Sequence, residues 1–285
     1  MSSVTLAAGV RANLLALQQT STQQELVQNR LATGKKVNSA LDNPNSYFTA
    51  AALNDRGQDL TNLLDDMGQA VQTLKAADEG IQAITKLAEA AKAKANQALA
   101  SSSATDRETY ASEYNKLLGQ IEDIAEDSGY KGKNLLKGDD LKVIFNERTS
   151  SAQNFLTISG IDYTDSTITR ASSGLELTDI TSGDWTLGTT GDAAIGTAID
   201  SINGALSQLR VQSATFGTNL SSVQIRQDYT KSFVNTLQSG ADKLTLADQN
   251  EEGAKLLALN TRQQLSSTAL SFASQADQNV LRLLG

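Results

Sequence analysis

A seven-residue apolar repeat is the strongest constraint on what this chain can fold into. Leu53, Leu60, Met67, Leu74, Ile81, Ala88 and Ala95 recur every seven residues, and Leu63, Ala70, Ala77, Ile84, Ala91 and Ala98 keep the same beat three residues later. Sustained spacing of this kind winds one apolar stripe along a helix and packs it lengthwise against other helices with a left-handed twist. At 1.5 Å per residue, the stretch from Asp42 to Leu99 makes a rod of roughly 80 Å. A second repeat, Ile202, Leu209, Phe216, Val223, Thr230, Leu237 and Leu244, interleaves with Ile199, Leu206, Ser213, Leu220, Gln227, Val234 and Ala241. Two rods with matched stripes are expected to lie side by side. The scarcity of aromatics, at 5%, and the single Pro44 suit long helices, which tolerate proline only near their first turn.

Start signals divide the chain further. Asp42 and Asn43 are cap candidates ahead of Pro44, and Thr105 with Glu108 has capping-box spacing before Tyr110, Tyr114, Leu117, Leu118, Ile121 and Ile124. Ser128 and Gly129 end that helix, and Asp248 with Glu251 opens the last one. From Asp139 to about Gly191 the pattern changes to short alternating runs, Leu141 to Phe145 and Phe155 to Ile158, set among Ser, Thr, Asn, Asp and Gly. Helical spacing is expected to resume at Ile199. The fold class is therefore mainly α, a long antiparallel coiled-coil bundle built from the N- and C-terminal regions, with a small β-rich central insert. Three regions follow: 1–42 with 247–285, a terminal helical pair; 43–138 with 192–246, the bundle; and 139–191, the insert.

The two ends differ in kind from the rods. Leu6, Val10, Leu14, Leu17, Leu31 and Val37 share their stripe with Ser21, Gln24 and Gln28, and Leu256, Leu259, Leu270, Ala273, Val280 and Leu284 share theirs with Gln263, Ser266 and Asp277. Either arm alone is too poor in apolar residues to offset its ordering entropy, so each is expected to complete its fold only in contact with other copies.

Chemistry is narrowed by what the composition lacks. With no Cys and no His, thiolate nucleophiles, Cys or His zinc sites and a Ser-His-Asp triad are all unavailable. The adjacent acids Asp65-Asp66 and Asp139-Asp140 lack calcium-loop spacing and read as solvated surface. No cofactor and no enzymatic activity are expected. A formal charge of −8 argues against nucleic acid or an anionic membrane as a partner. Met1 to Leu17 has neither the basic start nor the apolar run of a secretory signal, so export, if it occurs, is expected to use another route.

The residues at both ends resemble one family. Arg30-Leu31-Ala32-Thr33-Gly34-Lys35-Lys36-Val37-Asn38-Ser39-Ala40-Leu41-Asp42-Asn43-Pro44 is similar to the N-terminal signature of bacterial flagellins, preceded by Asn13-Leu14-Leu15-Ala16-Leu17. Ala269-Leu270 and the run from Ala273 to Gly285 resemble the flagellin ending. No Arg lies between Lys86 and Arg107, which makes the chain look like alphaproteobacterial flagellins and speaks against recognition by the animal innate immune receptor.

The resemblance implies a subunit that polymerises into the extracellular flagellar filament for swimming. It implies partners as well: further copies of the chain, the type III flagellar export machinery and a chaperone, and the filament cap and hook-associated junction proteins. Folding would finish on assembly. Subunit contacts would fall on Leu14, Leu17, Arg30, Leu31, Val37, Asn38, Asp42, Leu259, Leu270, Phe272, Val280, Leu281, Leu283 and Leu284. The insert would face outward, so that deleting Ser150 to Thr190 is expected to be compatible with assembly. A hook-filament junction protein, or another secreted helical interaction protein, is the alternative; the full signature from Arg30 to Asp42 favours the filament subunit.

Overall fold

A computed structural model describes residues 8–164 and 174–284, without the side chains of 8, 277 and 280–284. The order of elements is α1 (Ala8–Thr33), α2 (Pro44–Ala100), α3 (Ala104–Asp127), β1 (Leu141–Ile144), β2 (Phe155–Ile158), α4 (Thr189–Thr245) and α5 (Gln249–Leu284). The class is mainly α, as the periodicity requires. The chain divides into two compact units, 1–57 with 236–285 and 58–235.

In the unit 58–235 the heptad stripes are the core. Leu60, Met67, Leu74, Ile81, Ala88 and Ala95 are all buried on α2, as are Ala70, Ala77, Ile84, Ala91 and Ala98. From Met67 onward they join Ile202, Leu209, Phe216 and Val223 of α4 and Ala111, Tyr114, Leu118 and Ile121 of α3 in one continuous cluster. Polar contacts fix the directions. Ser213 Oγ donates to Asp78 at 2.8 Å and Lys92 Nζ to Asn203 at 2.7 Å, so α4 runs antiparallel to α2. Lys94 pairs with Glu113 at 2.7 Å and Tyr130, just beyond α3, reaches Gln69 at 3.0 Å, so α3 is antiparallel too. Leu74 is 1% exposed, in the seam. Leu74→Asp puts a charge there and is expected to destabilise this unit by several kcal/mol, read as a lowered Tm.

Caps set the helix starts, and one differs from expectation. Asn43 Oδ1 accepts from the Ser46 N–H at 3.0 Å, which caps α2 with Pro44 in its first turn. For α3 the cap is Ser103, in extended backbone, whose side chain accepts from the Asp106 N–H; the Thr105–Glu108 pair lies inside the first turn. The beginning of α4 also departs: it starts at Thr189, ten residues before Ile199. Its first turns are rich in Thr, Gly and Ala, which mask the heptad there; Ile195, seven residues before Ile202, and Ala198 are buried.

The insert corrects a larger expectation. β1 and β2 pair antiparallel with Val143 opposite Leu156, and the hairpin is the sheet's whole extent among the described residues. The remaining described residues of the insert are irregular and packed down on the bundle. Val143, Ile158, Tyr163, Leu175, Leu177 and Trp185 belong to the same core as α2, α3 and α4. Trp185 stacks at a tilt on Tyr114, with ring centroids 5.3 Å apart. Gly160 passes so close to the carbonyls of Asp139 and Leu135 that an added Cβ would lie 2.4 and 2.7 Å from them. A region tied in this way is not a detachable appendage, so the expectation that deleting Ser150 to Thr190 is compatible with assembly is withdrawn.

Arg107, 5% exposed, secures the same end of the unit. It donates to the carbonyls of Ser101 at 2.9 Å and Thr186 at 2.8 Å and pairs with Asp192 at 2.8 Å. One guanidinium thus joins the turn after α2, the insert and the first turn of α4, and its charge is compensated where it is buried.

Candidate assembly surface of the terminal helices

In the unit 1–57 with 236–285, α1 and α5 pack against each other along most of their length. Two polar contacts set an antiparallel register: Gln24 Nε2 donates to Asn260 Oδ1 at 2.6 Å, and Arg30 pairs with Glu252 at 3.3 Å. The less exposed positions of α1 include Val10, Asn13, Leu17, Thr20, Gln24, Val27 and Leu31, a three-four alternation, and those of α5 include Leu256, Leu259, Gln263, Ser266, Leu270 and Ala273. These are the mixed apolar and polar stripes of the sequence. The two arms therefore supply each other with a partner inside one chain, which neither could do without.

The signature residues after α1 close the base of this pair. Gly34, at φ +70°, takes the left-handed conformation that ends the helix and that a side chain would strain. The N–H groups of Lys36 and Val37 then donate to Thr245 O at 2.8 and 3.3 Å, and the Ala247 N–H donates back to Gly34 O at 3.0 Å. Val37 is buried by this clasp. On the other side Asp248 Oδ1 accepts from the N–H groups of Asn250 and Glu251, at 2.9 and 3.2 Å, and caps α5.

Charge is concentrated at the same place. Glu252 is 4% exposed, and its Oε1 accepts from both Arg30 and Lys255. Burial works to raise the Glu252 carboxyl, but Lys255 and Arg30 together outweigh it and hold it below its ordinary value. Lys255 is raised in turn by hydrogen bonds to Glu251 and Glu252. Arg30 carries this cluster across from α1 to α5 and so contributes to their register.

Asp42 also holds its own turn together. Its Oδ2 accepts from the N–H groups of Asn38 and Ser39, both at 2.9 Å, and from Ser39 Oγ at 3.3 Å, so it closes a tight turn over 38–42. The two backbone donors lower its pKa from the ordinary 3.8. A depressed carboxylate contributes stability that is fully present above its unfolded value and is lost as pH falls through the folded one. The turn is accordingly expected to hold at pH 5 and to open only below the ordinary aspartate value. The amide chemical shifts of Asn38 and Ser39 should follow Asp42 through that titration, whereas in Asp42→Asn they should be insensitive to pH.

The expected contact residues thus fall into separate groups. Leu17, Leu31, Leu259 and Leu270 are half-buried or buried between the arms, Arg30 lies in the ionic cluster, Val37 is under the clasp, and Asn38 and Asp42 form the exposed turn. Leu14 and Phe272 face solvent. The side chains of Val280, Leu281, Leu283 and Leu284 lie outside the described residues. Four exposed leucines were not anticipated: Leu15 and Leu26 on α1, and Leu257 and Leu265 on α5. Their spacing carried the signal, because Leu257, Leu265 and Phe272 recur after eight and seven residues on a side of α5 other than the stripe facing α1.

Comparison with known proteins shows the family. Residues 6–140 match the bacterial flagellin N-terminal helical region, and residues 199–284 match the bacterial flagellin C-terminal helical region. Flagellin FljM of Caulobacter vibrioides is 30% identical over 275 residues, covering 95% of each chain. The flagellin of Brucella melitensis is 26% identical across 95% of this chain and 94% of its own. Flagellin FljK of Caulobacter vibrioides is 28% identical across 99% of this chain and 98% of its own. Among solved structures, that of Bacillus cereus flagellin aligns at 20% identity over 58% of this chain and 88% of its own, with a TM-score of 0.45. Matched at both terminal regions, and alike from end to end to curated alphaproteobacterial relatives, the chain belongs to the flagellins, structural proteins that polymerise into the extracellular filament of the bacterial flagellum.

Proposed function

We propose that the paired arms α1 and α5 are the inner layer of the flagellar filament, and that the heptad bundle of 43–138 and 192–246 surrounds them. The insert, 139–191, is the part of the subunit placed furthest outward. The observation that carries this reading is the set of large apolar side chains on the arm pair that no described residue covers: Leu14, Leu15 and Leu26 on α1, and Leu257, Leu265 and Phe272 on α5. Contacts to neighbouring subunits fall on these residues together with Val280, Leu281, Leu283 and Leu284 and on the exposed turn of Asn38 and Asp42, while Leu17, Arg30, Leu31, Val37, Leu259 and Leu270 shape the pair that presents them. A subunit whose contacts lie on different patches extends as an open helix when the rotation between copies does not close a ring.

The finer partners follow from the same reading. The chain leaves the cell through the flagellar type III apparatus, escorted by a chaperone, and is added beneath the filament cap beyond the hook-associated junction proteins. Arms held by a polar-laced seam open readily enough for passage and are fixed once neighbours cover their apolar side. Hydrogen exchange on monomer and filament tests the proposal. Residues 8–33 and 249–284 should exchange faster than the 58–235 core in the monomer and become strongly protected in the filament. Arms equally protected in a verified monomer would mean that they need no neighbour to be stable.

A further inference from the structure

Leu41 is 95% exposed, the most exposed large apolar side chain among the described residues, and it is held in that position. On one side of it the Asp42 carboxylate gathers the Asn38 and Ser39 N–H groups, and on the other Asn43 caps α2. Further back, Lys36 and Val37 are hydrogen-bonded to Thr245. A loose loop would fold its leucine against whatever apolar surface is near; this turn is anchored at both ends and cannot. The same unit contains an unfilled groove of about 330 Å³ between α1 and α5. Val27 and Leu259, both buried, form its floor, Leu26 and Ala258 its walls, and Lys255 and Arg262 its rim.

We propose that Leu41 is a knob that seats in the α1–α5 groove of a second copy of this chain. The proposal rests on the filament reading above and names one contact within it. Size agrees, since the groove accommodates a leucine side chain and part of the turn that carries it. Charge agrees as well: Asp42 follows the knob immediately in sequence and is itself exposed, and the groove's lining carries Arg30, Lys255 and Arg262 against the single carboxylate of Glu252, which Arg30 and Lys255 already hold, so that the balance left for an arriving carboxylate is positive. A turn that is already formed loses little conformational freedom on docking, so most of the burial is retained as affinity. Because knob and groove are different patches, each docking leaves one of each free, the condition for an open polymer.

Two measurements test it, with wild-type protein polymerised alongside. Leu41 touches no core, so Leu41→Ser should leave the monomer's circular dichroism and Tm unchanged. It should raise the critical concentration for polymerisation, read by sedimentation, about 10- to 100-fold, the range expected for burying one leucine at a contact. The chain has no Cys, so single substitutions give a clean disulfide trap. Leu41→Cys and isotope-labelled Ala258→Cys are mixed, polymerised and oxidised with copper phenanthroline. Mass spectrometry should then find positions 41 and 258 joined between labelled and unlabelled chains in filaments and not in monomer, since bridging requires Cα atoms within about 7 Å. Filaments of Leu41→Ser that form at the wild-type concentration would overturn the knob and leave the filament reading standing. So would a trap that joins only 258 to 258, because the groove would then be covered by another groove. Wild-type protein that never polymerises would instead overturn the filament reading and the knob with it.

Discussion

Deleting residues 150–190 is expected to unfold the 58–235 unit. The deletion removes Ile158, Tyr163, Leu175, Leu177 and Trp185, each at most 3% exposed, from a core they share with α2, α3 and α4. Removing one large buried side chain costs about 2–5 kcal/mol, and a domain's total stability is about 5–15 kcal/mol, so losing several together exceeds what the unit can supply. Polar partners are lost in the same step. Asn115 both donates to Ile180 O and accepts from the Ile180 N–H, each at 2.8 Å, and Arg107 loses the Thr186 carbonyl while it stays buried. The deleted chain should show no cooperative thermal transition for this unit and no near-ultraviolet circular dichroism from its aromatic core. Trp185→Ala, which leaves the backbone in place, should lower stability by about 3–5 kcal/mol and keep a cooperative transition. A deletion variant that melts like the intact chain would show the insert to be the detachable appendage that its composition suggests.

Why the insert misleads at the level of sequence can be stated residue by residue. Leu175 and Leu177 alternate with polar neighbours as half-buried extended chain should, but alternation gives no information about which surface covers them. Trp185 stands alone in a Ser, Thr, Gly and Asp setting, and only its stacking on Tyr114 reveals its place. The rods, by contrast, carry their own register, because a heptad stripe states both that a helix forms and which side it buries; Leu60 to Ala98 follow it without exception apart from the half-buried Leu63. Caps were legible where the candidates were few, as at Asp248 and at the pair Asp42 and Asn43, of which Asn43 caps α2. They were not where Ser101, Ser102 and Ser103 offer three hydroxyls in a row and only the extended backbone of Ser103 selects one.

The assembly surface was half legible for a related reason. Leu31, Leu259 and Leu270 lie on the stripes that the sequence displays, and they serve the pairing of α1 with α5. Leu15, Leu26, Leu257 and Leu265 lie off those stripes, and their importance comes from exposure, which periodicity does not report. Asp42 was visible as a capping residue, but the side it caps was not: it turns back to Asn38 and Ser39 and leaves α2 to Asn43. The knob at Leu41 is the extreme case, defined entirely by the absence of packing around it.

A chain ending at residue 269 is expected to lose polymerisation while keeping the 58–235 unit folded. The truncation takes Leu270 from the seam, Phe272 from the exposed side of α5, and the rest of that helix. Gln24 meets Asn260 and Arg30 meets Glu252, so the antiparallel register places Val10 and Asn13 opposite the first residues removed. The first turns of α1 should therefore fray, and one cut damages both arms at the same end. The ionic cluster of Arg30, Glu252 and Lys255 and the clasp of Lys36 and Val37 on Thr245 lie at the other end and remain. No residue of the heptad core is touched. Circular dichroism should lose only the helical signal of the removed turns and the frayed end of α1, and the Tm of the 58–235 unit should be unchanged. Sedimentation should find no polymer even at many times the wild-type critical concentration, because each neighbour contact loses apolar area on both arms and a helical polymer repeats that loss at every subunit. Truncated chains that pellet at the wild-type concentration would place the subunit contacts elsewhere, on the heptad unit or on the turn that carries Leu41.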